Sequence, residues 1–251
     1  MPLTRIDVTD HVATVSFEPP AGGYDRALLD AIGTAAEEVG AREDVRAVIL
    51  RSEGEFGSGW AGSALEEPLG IPGIPHVAAG IDAVAAIPQP VVAAIRGRAH
   101  SIALELALAC DVRVADEDAT FALADTAAGA VPIGGGTQRL PRAVGRAEAL
   151  RLILLGEEID AAEALRIGLV SRVVLSEELD SAAQAIADAV ASRGPIATRL
   201  AKEAVHRGVE MPLDQALRYE LDLTVLLQST ADRAEGVRAF AEKRPPRFIG
   251  R

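Results

Sequence analysis

The sequence predicts an α/β core followed by an all-helical C-terminal region. Two observations carry this prediction. Short apolar β runs alternate with amphipathic helical stretches over the first part of the chain, whereas strand patterns nearly disappear after about Gly145 and Ala-rich helical patterns follow. The chain has 251 residues, 49% of them hydrophobic, so it is long and apolar enough to bury a substantial core.

Five segments of the first part carry strand patterns. Residues 11–17 alternate between apolar and polar side chains, which is typical of a strand with one buried face. Residues 45–50 and 91–95 are nearly continuous apolar runs, as expected for strands that are covered on both faces. Residues 112–115 and 120–122 complete the predicted set.

Helices are predicted between these strands and beyond them. Asp25 is a suitable N-cap for a helix over residues 26–39, with Gly40 just past its end. A second helix, over residues 76–87, is stopped by Pro88. Past Gly145 the patterns predict one strand, over 172–175, and helices over 177–191, 195–207, 212–226 and 230–241.

The change of pattern divides the chain into a core, residues 1–192, and a helical region, residues 193–251. Helices with large apolar stripes at a chain end often pack against another subunit, so we expect self-association. We find no internal repeat.

The charge balance limits the expected partners. There are 25 basic and 37 acidic residues, a net charge of −12, which repels nucleic-acid phosphates and makes any anionic ligand depend on local basic residues. The single cysteine, Cys110, excludes an intrachain disulfide and fits a reducing compartment. With no signal-peptide pattern and no long uncharged apolar run, we expect a cytoplasmic protein with neither nucleic-acid nor membrane partners.

A glycine-rich segment at residues 57–62 matches the G-x-G-x-x-G pattern of dinucleotide-binding proteins, and Asp82 lies beyond it. The context argues against that interpretation. Residues 53–56 intervene after the preceding strand, prolines interrupt the sequence that follows, and Asp82 falls inside a helical pattern. A nicotinamide-dependent oxidoreductase is retained as an alternative from another class.

The segment 97–111 follows a buried strand and opens an apolar helix. Amides at a helix start lack intrahelical partners and lie at the positive end of the helix dipole, so they can bind an oxyanion. Glu105 lies three residues after Ile102 and therefore on the same helix face. A buried glutamate is costly unless it is paired or functional, so Glu105 is either a catalytic candidate or a residue turned to solvent or to an arginine.

Two further segments carry candidate residues. In residues 124–140, three consecutive glycines suggest a phosphate loop, but no G-K-[ST] follows and a turn that caps a helix at Thr137 is the simpler interpretation. Asp125 in the same segment is either functional or a turn residue. The basic tail, residues 240–248, is either a solvated end or a site for phosphates. The four histidines and single cysteine show no metal-ligand spacing, so no metal site is expected.

Taken together, these segments resemble the enoyl-CoA hydratase/isomerase (crotonase) superfamily, in the same order along the chain. Residues 55–61 are similar to its first oxyanion segment, F-x-A-G-A-D, and residues 97–111 to its second, G-x-A-x-G-G-G-x-E-L-A-L-x-C-D. Residues 125–140 are similar to E-x-x-x-G-x-x-P-x-x-G-G-T-Q-R-L. Residues 154–173 and 240–248 are similar to the family's downstream stretch and to its F-x-E-K-R-x-P-x-F end, so the resemblance covers essentially the whole chain.

The resemblance implies a spiral of ββα turns with a C-terminal helical trimerisation region, and assembly into a trimer or a dimer of trimers. It implies an acyl-CoA thioester as substrate, coenzyme A entering as part of that substrate, and no permanently bound cofactor. The backbone amides of Trp60 and Ile102 take the oxyanion positions, while Glu105 and Asp125 take the two acid/base positions. The implied CoA and substrate contacts are Ser58, Gly59, Ala61, Pro132, Gly134, Phe240 and Lys243.

Three departures from the family pattern affect the expected reaction. Asp125 stands in place of Glu and is one methylene shorter, Ile102 stands in place of Gly and is expected to reshape the pocket, and Trp60-Ala61 replace Ala-Asp. Hydration of a 2-enoyl-CoA is the leading hypothesis. Double-bond isomerisation or another reaction of the superfamily, and a non-catalytic acyl-CoA binder, are the alternatives.

Overall fold

The computed structural model of the protein describes residues 3–20, 23–60 and 74–251. Its strands are β1 (Thr4–Thr9), β2 (Val12–Phe17), β3 (Ala47–Ser52), β4 (Val91–Ile95), β5 (Arg98–His100), β6 (Val112–Asp116), β7 (Thr120–Ala122), β8 (Ile159–Asp160) and β9 (Arg172–Val174). Its α-helices are α1 (Arg26–Gly40), α2 (Ile74–Ala85), α3 (Ile102–Leu108), α4 (Gly136–Val144), α5 (Arg146–Leu155), α6 (Ala161–Arg166), α7 (Leu179–Ala191), α8 (Pro195–Gly208), α9 (Leu213–Gln228) and α10 (Ala231–Glu242).

The main sheet has the strand order β1-β2-β3-β4-β6-β9, and only the β1–β2 pair is antiparallel. Its central strands are covered on both faces, because alternate residues enter two different cores. Val48 and Leu50 of β3 pack in the cluster that contains α1, whereas Ala47 and Ile49 pack against α7. This double burial explains the continuous apolar runs in the sequence.

The predicted elements agree with the structure to within a few residues, with one small correction. Asp25 caps α1 as expected, since its side chain accepts a hydrogen bond from the Leu28 N–H at 2.8 Å. Gly40, expected just past the helix, is its last residue, and Ala41 is the C-cap. The patterns missed strands β1, β5 and β8 and helices α5 and α6, so the chain after Gly145 is less uniform than expected.

Hydrogen bonds near the ends of main-sheet strands attach the C-terminal region to the core. Lys202 of α8 donates to the Gln89 carbonyl at 3.0 Å and to the Asp111 carboxylate at 2.6 Å. Arg46, just before β3, donates to the Phe248 carbonyl at 2.8 Å. These bonds join the two parts of the chain. The boundary at residue 192 stays a prediction.

The basic tail folds back on α10. Asp232 accepts the backbone N–H groups of Ile249 and Gly250 at 2.7 and 2.9 Å, and Glu235 pairs with Arg244 at 2.6 Å. Part of the positive charge that suggested a phosphate site is therefore neutralised within the tail.

Helix α9 carries a row of exposed apolar side chains at four-residue spacing, namely Leu213, Leu217, Leu221 and Val225, which are 56% to 74% exposed. We refer to these four residues as the α9 stripe. None of the helices in the described part of the chain is both long and apolar enough to span a membrane.

Candidate active site

Three chain segments run side by side in parallel register and form the frame of the site. The Gly57 N–H donates to the Arg98 carbonyl at 2.7 Å, and the His100 N–H donates to the Gly57 carbonyl at 3.0 Å, so Gly57 lies opposite Ala99. Strand β5 pairs in turn with β7, which sets Ala99 opposite Phe121. We call this arrangement the three-segment ladder. Gly57 has φ 141°, and a β-carbon there would collide with the Tyr24 ring.

Three residues beyond the Gly57–Ala99 pair, the two segments reach Trp60 and Ile102. Gly59 and Ser101, one residue earlier, are close together: a β-carbon on Gly59 would lie 3.5 Å from the Ser101 Cβ. Within the described residues, neither the Trp60 nor the Ile102 N–H has a hydrogen-bond acceptor, and Ile102 is the first residue of α3. Two amides without partners at the ends of parallel segments, one of them at a helix start, form an arrangement that can bind an oxyanion.

The Ile102 side chain does not behave as expected. It is 0% exposed and belongs to the main hydrophobic core, so its amide, and not its side chain, is the group available to a ligand. Trp60 is partly buried and packs against the same core. Ser58 is exposed, and Ala61 lies outside the described residues.

Glu105 is neither turned to solvent nor paired with an arginine. It is 1% exposed, and its Oε1 accepts the Gly136 N–H at 2.7 Å, at the N-terminus of α4. Its Oε2 is buried and has no hydrogen-bond partner within the described part of the chain. The third of the three glycines therefore holds a carboxylate of this chain, which argues against the phosphate-loop interpretation.

Burial raises the pKa of Glu105 from 4.5 to about 7, although the Gly136 N–H favours the charged form. The negative charge of Asp125 contributes to this rise in the pKa of Glu105, so the two carboxyl groups are close enough to interact. A carboxyl group with a pKa near 7 can both accept and return a proton at neutral pH.

Asp125 opens a short 3₁₀ turn, Asp125–Ala128, three residues after the end of β7. Its Oδ2 accepts a hydrogen bond from the Ser101 hydroxyl at 2.9 Å. In the sequence, Ser101 draws notice only beside His100, as a possible hydrolase pair, and the lack of a G-x-S-x-G motif argues against that interpretation. The available signal was that Ser101, like Ile102, stands where the family pattern has glycine.

The loop before α4 closes over Glu105. A β-carbon on Gly134 would lie 3.0 Å from the Glu105 Oε2, so only glycine lets this loop approach the carboxyl group so closely. Arg139 fixes the loop by donating to the Gly134 carbonyl at 2.7 Å and to Asp82 at 2.8 Å. Pro132, two residues earlier, is buried. Sequence analysis missed Arg139, whose role depends on the folded loop.

Phe240 and Lys243 are not brought to this cluster within one chain. Phe240 is 87% exposed on α10, and Lys243 is the C-cap of that helix. A cavity of about 1120 Å³ also lies elsewhere, between α7, α8 and the C-terminal end of α3. Among the residues that the structure describes, no cluster of three or more His, Cys, Asp or Glu side chains could hold a metal.

An α/β core that presents two amides without partners beside two interacting carboxyl groups has the parts of an enzyme that stabilises an enolate and moves protons. Comparison with known proteins agrees with this class. The family model described as Enoyl-CoA hydratase/isomerase matches residues 8–251.

Individual relatives cover most or all of the chain. Methylglutaconyl-CoA hydratase of Rattus norvegicus is 40% identical over 235 residues, covering 89% of this chain and 74% of the relative. (E)-Benzylidenesuccinyl-CoA hydratase of Thauera aromatica is 36% identical, with 100% of both chains covered. The crystal structure of an enoyl-CoA hydratase from Bacillus anthracis has a TM-score of 0.94 at 36% identity, covering 99% of this chain and 100% of that one.

The chain belongs to the enoyl-CoA hydratase/isomerase (crotonase) family and has its fold. Its relatives support an activity of the acyl-CoA hydratase or isomerase type. The dinucleotide-binding interpretation of residues 57–62 is wrong at the level of fold, because Gly57 pairs in the three-segment ladder.

Proposed function

We propose that the protein adds water to the double bond of a 2-enoyl-CoA and forms a 3-hydroxyacyl-CoA. In such a thioester the C2–C3 double bond is conjugated with the carbonyl group, so attack at C3 moves negative charge onto the carbonyl oxygen. The amides of Trp60 and Ile102 bind this oxygen while the enolate forms. The lack of a hydrogen-bond acceptor for either amide within the described residues supports this role.

Glu105 activates the water. Its Oε1 is held by the Gly136 N–H, whereas its buried Oε2 has no partner in the described residues and is free to accept a proton. A pKa of about 7 lets Glu105 take that proton at neutral pH and hold it inside the protein. This pairing of one fixed and one free oxygen is the observation that carries the proposal.

In its protonated form, Asp125 delivers a proton to C2 of the enolate, and the proton that Glu105 took from water then replaces it. Asp125 lies three residues after the end of β7 and interacts with Glu105, which supports a joint role for the two carboxyl groups. Since isomerisation needs only one carboxyl group to carry a proton between C2 and C4, the presence of two favours hydration.

The test uses a panel of 2-enoyl-CoA esters. For each ester, the loss of the enoyl-thioester ultraviolet absorbance and the mass of the product are measured. The panel includes esters with a second carboxyl group, because two relatives are named for methylglutaconyl-CoA and benzylidenesuccinyl-CoA. Absorbance loss with the gain of one water supports hydration. A product of unchanged mass overturns hydration in favour of isomerisation, and saturable binding without turnover indicates a binder.

Two variants test the roles in the same assay. Glu105→Gln should abolish water addition, and Asp125→Asn should reduce turnover while the thioester still binds. If Asp125→Asn abolishes turnover and Glu105→Gln leaves it intact, the protein is an isomerase that works with one carboxyl group.

We also propose that the chain self-associates through the α9 stripe, and that Phe240 and Lys243 contact the CoA of a substrate bound by a neighbouring copy. The exposure of the stripe and of Phe240 supports this. Mixing Glu105→Gln chains with Lys243→Glu chains tests it. A mixture with more activity than either parent supports shared sites, whereas a simple average of the two contradicts them.

A further inference from the structure

Ser101 has a backbone conformation that residues other than glycine rarely adopt. Its φ is 48° and its ψ is −121°, the combination found at the first central position of a type II′ turn. The left-handed region that Asn and Asp tolerate has positive ψ, as at Lys243, with φ 53° and ψ 40°. Ser101 is therefore strained, and a glycine there would not be.

The surrounding backbone keeps Ser101 in this conformation. Its N–H donates to the Ala122 carbonyl at 2.9 Å, which extends the three-segment ladder by one bond, and its carbonyl accepts the Glu105 N–H at 3.0 Å, which starts α3. Strain of this kind persists when the side chain supplies something that glycine could not.

The hydroxyl of Ser101 does not have the usual function of a serine at this position. Ser101 is the N-cap of α3, where a serine oxygen normally accepts an amide of the first helical turn, yet no such bond forms. The hydroxyl instead donates to the Asp125 Oδ2 at 2.9 Å. This arrangement leaves the first amides of α3 without a side-chain acceptor and fixes the neighbouring carboxylate.

We propose that Ser101 is a positioning residue, whose hydroxyl sets the direction of the Asp125 carboxylate at the acid/base position. This inference rests on the proposed function of Asp125. Within the described residues, Ser101 is the one side chain that hydrogen-bonds the Asp125 carboxylate. Because an aspartate is one methylene shorter than a glutamate, a fixed direction matters more, and a displacement of about 1 Å costs about a hundredfold in rate.

Two single variants separate the strain of Ser101 from its hydrogen bond. Ser101→Gly removes both, so Tm should rise while kcat falls about ten- to a hundredfold and KM stays near the wild-type value. Ser101→Ala removes only the hydrogen bond, so kcat should fall similarly without a rise in Tm. A merely structural role predicts that stability and turnover fall together, and that result, or wild-type turnover in Ser101→Gly, overturns the proposal.

A coupled substitution provides the rescue. Asp125→Glu alone pushes a longer carboxylate against the Ser101 hydroxyl and should lower kcat. In Ser101→Gly/Asp125→Glu the space left by the serine side chain accepts the added methylene, so most of the lost turnover should return. If the double variant instead shows the sum of the two single losses in kcat, Ser101 and Asp125 are not coupled.

One readout does not depend on the proposed reaction. A crystal structure of the wild type should show Asp125 in one side-chain conformer. A crystal structure of Ser101→Gly should show Asp125 in several conformers. If no 2-enoyl-CoA is turned over, the proposed function fails, while these structures still decide whether Ser101 fixes Asp125. A single unchanged conformer in both structures overturns the positioning role.

Discussion

Replacing Glu105 by Gln should make the protein more stable at alkaline pH while removing its activity. The wild-type carboxyl group has a pKa of about 7 when folded, against 4.5 for an ordinary glutamate. Below pH 4.5 it is protonated in both states. As the pH rises from 4.5 to 7, the unfolded chain releases its proton while the folded chain keeps it, so wild type loses stability relative to the Gln variant. Above pH 7 the difference stays constant.

The size of this effect follows from the two pKa values. The span from 4.5 to about 7 corresponds to about 3 kcal/mol of unfolding free energy. The difference between variant and wild type should therefore grow by about 2–3 kcal/mol between about pH 5 and about pH 9. Burying the amide of the Gln variant can carry a cost that does not depend on pH. Such a cost changes the stability difference equally at about pH 5 and at about pH 9, so it cancels when the two values are compared.

Urea unfolding of both proteins at several pH values measures the difference. Glu235→Gln is a suitable control, because the hydrogen bond from Arg244, with that from the Arg247 N–H, lowers the pKa of Glu235 to about 2. The Glu235 carboxylate stabilises the wild type above pH 4.5, and this stabilisation is lost as the pH falls towards 2. The stability difference between the control variant and wild type therefore has the opposite pH dependence. Parallel curves for wild type and Glu105→Gln would refute the raised pKa, and with it the account of how Glu105 activates water.

Three further outcomes follow from individual contacts. Gly134→Ala places a β-carbon 2.5 Å from the Ile81 Cδ1 and 3.0 Å from the Glu105 Oε2, so we expect at least about a tenfold loss of kcat with a lowered Tm, measured by steady-state kinetics and thermal melting; wild-type turnover would contradict it. Lys202→Met removes the mostly buried 2.6 Å ion pair with Asp111 and should cost about 2–3 kcal/mol in urea unfolding, whereas an unchanged midpoint would show that the pair contributes nothing. Leu221→Glu puts a charge in the α9 stripe and should lower the assembled mass in analytical ultracentrifugation, with an unchanged mass excluding the stripe as the interface.

The sequence predicts the fold best where burial dictates residue type. Strand β4 was predicted with its observed limits, because both faces are covered and only apolar residues fit. Strand β1 was missed since it lies at the sheet edge and carries exposed charges such as Arg5 and Asp7. Strands β5 and β8 are three and two residues long, and pairing with β7, not composition, defines them.

Sequence patterns suggest members of the candidate site but not the contacts between them. Periodicity placed Ile102 and Glu105 on one helix face but left open whether Glu105 meets solvent, because the answer depends on a loop thirty residues away that closes over it. Likewise, nothing local in the sequence indicates that Arg244 of the tail pairs with Glu235 of α10. These contacts form only once distant segments meet.

The three-segment ladder has a consequence for how such a protein can change length during evolution. Parallel pairing sets Gly57 opposite Ala99, and Trp60 and Ile102 follow three residues later, so one residue inserted within either short stretch would shift one amide relative to the other. Residues inserted elsewhere between the two stretches leave that count untouched. The segment between the two stretches can therefore change in length while Gly57 and Ala99 stay paired.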